Sequence, residues 1–139
     1  MFANYSYAHT RLPMFPLQSA LDAWQMGNIW QGDSGCAKSN FAMCTSAQVA
    51  DLNRYASDLV SDLQRTAKSK RPGEGGFVES CLEHVAAQGR AFDTYAIGGT
   101  TMQQALTAWW WHGGQNQSSH WFLPCSLHED APHQCNPTC

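Results

Sequence analysis

The chain has 139 residues, 43% of them hydrophobic, enough for one packed domain or part of one. Only 14% are charged, the net charge is -3, and no basic patch is present to meet a phosphate backbone, which argues against a nucleic-acid partner. No apolar run approaches the roughly 18–20 residues of a membrane span, which argues against a membrane role.

In chain order, the opening MFANYSYAHTRLP has no charged segment followed by an apolar one, so it does not read as a signal peptide. LPMFPLQSALDAW predicts a short strand over Met14–Gln18 and a loop over Ser19–Gln25. Pro13 and Pro16 each remove a ladder donor and weaken a central-strand reading. Residues 26–44 carry Gly, Asp, Ser, Asn and two cysteines and read as loop. Residues 45–70 predict the clearest helix. Thr45 and Gln48 have capping-box spacing, and Val49, Leu52, Ala56, Leu59 and Leu63 form one apolar stripe. Asp51, Arg54, Asp58, Asp62 and Arg65 fall largely on the other side. Lys68, Lys70 and Arg71 suit the negative end of the helix dipole, and RPGEGG stops the helix. Phe77 and Val78 predict a brief strand leading into a turn. A second helix is expected from Thr101 to about His112, then a loop through HGGQNQSSH and an irregular, cysteine-rich tail. Strand, loop, helix, strand, loop, helix and tail make an α/β order with too few strands for a complete sheet.

Six cysteines (Cys36, Cys44, Cys81, Cys125, Cys135 and Cys139) point to disulfides and an oxidising compartment. The alternative is a cytosolic protein with reduced thiols. Asn4-Tyr5-Ser6 and Asn116-Gln117-Ser118 are glycosylation sequons, whereas Asn136 precedes Pro137 and is excluded. A secreted-looking body without an export signal implies a missing N-terminal part.

Gly32-Asp33-Ser34-Gly35 is the phrase around the nucleophile of trypsin-like proteases. A serine nucleophile needs a base and a group that orients the base. Only His9 precedes Ser34, and Cys36 replaces the second glycine, so the phrase reads as a turn. No Gly-x-Ser-x-Gly elbow occurs. In α/β-hydrolases the order is Ser, then Asp or Glu, then His. Asp22 and His84 each follow a short apolar strand with the helix between them, the places of the last two members. On spacing alone, Asp22 reads equally as a loop or cap residue and His84 as a surface histidine.

LPMFPLQSALDAWQMGNIW resembles the segment of plant pectin acetylesterases that carries their catalytic aspartate, Tyr-Asp-Ser-Trp-Gln followed by Asn; here it is Leu21-Asp22-Ala23-Trp24-Gln25 and Asn28. CTSAQVADLNRYASDL resembles that family's Cys-Thr-Pro-Ala-Gln and the helix after it. FVESCLEH resembles Phe-Ile-Asn-Ser-Cys-x-x-His, and CNPTC resembles the terminal Cys-Asp/Asn-x-x-Cys. The chain thus resembles the pectin acetylesterase/Notum family from about Leu12 onward.

The resemblance implies the C-terminal portion of an α/β-hydrolase-like domain across residues 1–139: an incomplete sheet with flanking helices and a disulfide-pinned tail. It implies a carboxylic ester hydrolase that deacetylates cell-wall polysaccharide outside the cell, with Asp22 as triad acid and His84 as general base. No metal or organic cofactor is implied, and the sequence leaves the oligomeric state open. The family's nucleophile lies upstream in Gly-Cys-Ser-Ala-Gly-Gly, absent here, so this chain alone is expected to be inactive. Six cysteines allow many pairings; a working set is Cys36 with Cys44, Cys81 with Cys139, and Cys125 with Cys135. Two other readings compete. One is an inactive truncated remnant. The other is a small zinc-binding interaction module using Cys125, His128, His133, Cys135 and Cys139. Trp109, Trp110 and Trp111 point in different directions on a helix, so one or two belong to the core and the rest to the surface or an interface. His112 and His120 read as surface residues.

Overall fold

The computed structural model of the chain describes residues 9–30, 35–36, 41–67, 73–112, 120–123, 136 and 138–139. Among these, the elements in chain order are β1 (Leu17–Ser19), α1 (Ala23–Asn28), α2 (Ser46–Ala67) and β2 (Gly75–Glu79), then a 3-10 turn (Ala86–Gln88), α3 (Ala91–Thr94), β3 (Ala96–Ile97), β4 (Thr100–Thr101), α4 (Met102–His112) and β5 (His120–Phe122).

β1, β2 and β5 form a parallel sheet with β2 in the middle; Leu17 pairs with Phe77, Ser19 with Glu79, and Phe77 with Phe122. β1 starts later than the sequence predicts. Pro16 has no N–H to donate, yet the strand is foreshadowed by carbonyls: Met14 O accepts from Gly75 N at 3.3 Å and Pro16 O from Phe77 N at 2.9 Å. β2 is buried along its whole length, as expected of a parallel strand covered on both faces. Successive side chains alternate between those faces. Val78 joins Leu52, Ala56 and Leu63 of α2 in one core cluster. Phe77 joins Met102 and Ala105 of α4 in another. Helices therefore cover opposite faces of the small sheet, and the α/β class holds at that level.

α2 forms for the reasons its sequence states. Thr45 N donates to Gln48 Oε1 at 2.8 Å, and Thr45 Oγ1 accepts from Gln48 N at 3.3 Å. This reciprocal box satisfies two donors that the helix start would otherwise orphan. Arg54–Asp51 and Arg65–Asp62 are exposed pairs one turn apart, and such pairs contribute little. Thr45→Ala is expected to lower stability by about 1 kcal/mol, read from the urea midpoint; an unmoved midpoint would mean the box contributes nothing. Residues 68–71 lie outside the described residues.

α4 repeats the device: Thr101 N donates to Gln104 Oε1 at 2.9 Å and Gln104 N to Thr101 Oγ1 at 3.2 Å. The sequence reading missed the β3–β4 hairpin just before it. Its turn is Gly98-Gly99, with φ of 58° and 81°, the left-handed geometry of a tight two-residue hairpin. It also missed β5, reading residue 120 as loop. Of the three tryptophans, Trp109 is half-buried against Phe15, with ring centroids 5.2 Å apart, and donates Nε1–H to Gly73 O at 2.6 Å. Trp110 and Trp111 are 71% and 73% exposed. Among the described residues, no helix is long and apolar enough to cross a membrane.

Candidate functional site

Because β1 and β2 are parallel and Ser19 faces Glu79, their carboxyl ends open side by side. That end of a parallel sheet is where α/β proteins place their ligands. The chain leaving β1 reaches Asp22, and the chain leaving β2 reaches His84. Asp22 Oδ2 lies 2.8 Å from His84 Nδ1. A carboxylate only accepts, so Nδ1 carries the proton, and in the neutral imidazole Nε2 is the nitrogen that keeps a lone pair. The Asp22 side chain is 8% exposed and that of His84 52%, a buried acid beneath a solvent-facing imidazole.

The loop expected over Ser19–Gln25 gives way to a helix from Ala23, and of the two readings spacing left for Asp22, loop or cap residue, Asp22 takes the second. It is the N-cap of α1: its Oδ1 accepts from Gln25 N at 2.9 Å. Oδ2 is shared between His84 and Gln18 Nε2, the latter at 3.3 Å. The two oxygens therefore have separate tasks, one holding the helix start and the other the imidazole. Asp22-x-x-Gln25 has the spacing of a cap followed by a polar residue at the third helical position, a signal that could have revealed α1. Its brevity and Gly27 hid it. Gln25 instead turns its side chain toward α2, and Oε1 accepts from Tyr55 OH at 2.5 Å. Burial, then the charge of Asp22, pushes the Tyr55 hydroxyl up from its ordinary value.

The histidine loop is tied on three sides. Ala23 N donates to Glu83 O at 3.1 Å, joining the start of α1 to the residue before His84. Glu83 Oε1 accepts from His84 N at 3.1 Å. Val85, which follows, is left-handed at φ 61° and ψ 41°; a β-branched residue is strained there, and such strain gathers at functional sites. Beneath, Cys81 is bonded to Cys139. Ser80 N and Oγ both donate to Asn136 Oδ1 at 2.9 Å, and Asn136 Nδ2 donates to Ala96 O at 3.0 Å. Asn136, noticed in the sequence as a failed sequon and as the second residue of CNPTC, is thus a buried clamp. Nothing local in the sequence signals this.

Glu79 ends β2 and is fully buried. Its Oε2 accepts from Cys81 N, while Oε1 has no hydrogen-bond partner among the described residues. Burial, helped by the charges of Glu83 and Asp22, pushes its carboxyl up to about 8 against the opposing hydrogen bond of the Cys81 amide.

Cys36–Cys44 and Cys81–Cys139 are disulfides. The Cys125–Cys135 pairing, both sequons, Ser34, and the side chains of His112 and His120 lie outside the described residues. So do Cys125, His128, His133 and Cys135 of the zinc reading. Its remaining ligand, Cys139, is taken by Cys81, and no group of three His, Cys, Asp or Glu side chains that could hold a metal occurs among the described residues.

The arrangement is that of an α/β chain with an acid–imidazole pair at the carboxyl end of its parallel strands. The pectinacetylesterase family model matches residues 1–139, and the chain belongs to that family. It is 24% identical to pectin acetylesterase 11 of Arabidopsis thaliana, an alignment covering 99% of this chain and 35% of that protein. It is 26% identical to pectin acetylesterase 4 of the same plant, covering 100% of this chain and 33% of that protein. The chain thus spans about a third of the length of these relatives. No solved structure matches it significantly.

Proposed function

We propose that residues 1–139 are the C-terminal part of an α/β-hydrolase-type carboxylesterase that removes acetyl groups from cell-wall polysaccharide. The supporting observation is the Asp22 Oδ2–His84 Nδ1 contact of 2.8 Å in a chain of this family. His84 Nε2 takes the proton of a serine hydroxyl as its oxygen attacks the acetyl carbonyl. His84 then returns that proton to the departing sugar hydroxyl, leaving an acetyl-serine. In the second half, His84 takes a proton from water, the water oxygen attacks the acetyl carbon, and the proton returns to serine as acetic acid leaves. Asp22 holds the tautomer and stabilises the imidazolium. The sequence has no Gly-Cys-Ser-Ala-Gly-Gly segment, so the serine and its oxyanion donors come from outside these residues. The disulfides fit an oxidising, extracellular setting.

The intact mass of the native protein, captured with an antibody to residues 45–67, tests this. The expected species is roughly three times the 15.4 kDa of this chain, on the length of its relatives, and it carries a serine that reacts with a fluorophosphonate. A native species of 15.4 kDa lacking a reactive serine would overturn the enzyme reading in favour of an inactive remnant.

A further inference from the structure

Among the described residues, the catalytic scheme leaves the fully buried carboxyl of Glu79 unused. Glu79 sits where the ends of β1 and β2 are stitched together. Its Oε2 accepts from Cys81 N. Ser19, its register partner on β1, donates Oγ–H to Cys81 O at 2.5 Å and accepts from Leu21 N at 3.0 Å. Ala20 N donates to Glu79 O at 2.7 Å. Both peptide groups of Cys81 are therefore held by Ser19 and Glu79. The same pair grips the backbone of Ala20 and Leu21, the two residues before Asp22. One buried knot fixes the departure of the acid loop and of the histidine loop together.

We propose that Glu79 is a positioning residue for the Asp22–His84 pair, setting the register of the two loops through the Cys81 amide and Ser19. This rests on Asp22 and His84 being the acid and base. The titratable and charged groups around it are Asp22 from the β1 side, Glu83 from its own loop, and Tyr95 just before β3, whose hydroxyl is pushed up by burial and then by Glu83 and Glu79. Acids dominate this set, so a second buried negative charge has little to offset it. Glu79 is therefore fitted to act as a neutral hydrogen-bonding group. Ionising Glu79 would put a charge beside Asp22 and strain the knot.

The test uses the intact esterase with Glu79→Gln and Glu79→Ala, beside Asp22→Asn and His84→Ala. Acetate release is followed from pH 5 to 10, along with the downfield imidazole N–H resonance of His84. The wild type is expected to lose kcat as pH rises through about 8. Glu79→Gln is expected to keep kcat and the resonance at neutral pH and to move the alkaline limb upward. Glu79→Ala is expected to lower kcat roughly tenfold to a hundredfold with KM changed less than about twofold. Wild-type kcat and resonance in Glu79→Ala would overturn the proposal. So would an unchanged alkaline limb in Glu79→Gln, which remains informative even where the Ala variant does not fold. Full activity in Asp22→Asn and His84→Ala would instead sink the acid–base reading, a result the Glu79 variants cannot mimic.

Discussion

On the acid–base reading proposed above, Asp22→Asn in the full-length protein is expected to lower kcat for acetate release by about 10,000-fold while leaving the fold in place. The geometry makes the substitution severe for catalysis and mild for stability. Asn caps a helix about as well as Asp, so the amide oxygen stays on Gln25 N, where Asp22 Oδ1 now sits at 2.9 Å. The amide nitrogen then takes the place of Oδ2 and faces His84 Nδ1 and Gln18 Nε2. A donor toward Nδ1 selects the tautomer protonated on Nε2, which cannot accept the serine proton. His84→Ala removes the proposed base outright and should cost at least as much. The checks are kcat for acetate release beside thermal unfolding of each variant. Activity within about tenfold of wild type in folded Asp22→Asn would remove Asp22 from the mechanism.

Replacing both Cys81 and Cys139 by Ala is expected to cost about 4 kcal/mol of stability, against about 2.5 kcal/mol for Cys36 and Cys44 together. The difference follows from the loops closed, with sequence separations of 58 and 8, since the longer loop removes more entropy from the unfolded chain. The first pair also holds the tail that delivers Asn136 to Ser80, so its loss should loosen the histidine loop, whereas loss of the second should not. Urea unfolding of the two double variants gives the ordering. A larger loss for the Cys36–Cys44 pair would contradict it.

Local chemistry made part of this protein legible. The α2 stripe, its Thr45–Gln48 box and the Phe77–Val78 strand all rest on contacts within a few residues, and the structure has them close to where the sequence predicts. β1 was displaced from expectation and α1 was read as loop, both for local reasons: prolines that accept without donating, and a six-residue helix too short to display a period. β5 is different. Three residues show no pattern, and only the open edge of β2 makes them a strand.

The sequence by itself determined the residue types of the site, the order in which they come, and the helix that separates them. It placed Asp22 and His84 after two apolar strands, and family resemblance rather than spacing gave them roles. Only the tertiary structure decided that these side chains, 62 positions apart, meet at 2.8 Å. It also decided that Glu79 lies buried beneath them and that Asn136 reaches back across 56 positions to Ser80. The physical reason is the parallel pairing of β1 with β2. Hydrogen bonds between two distant segments bring their carboxyl ends to one edge, and no pattern within either segment encodes that meeting.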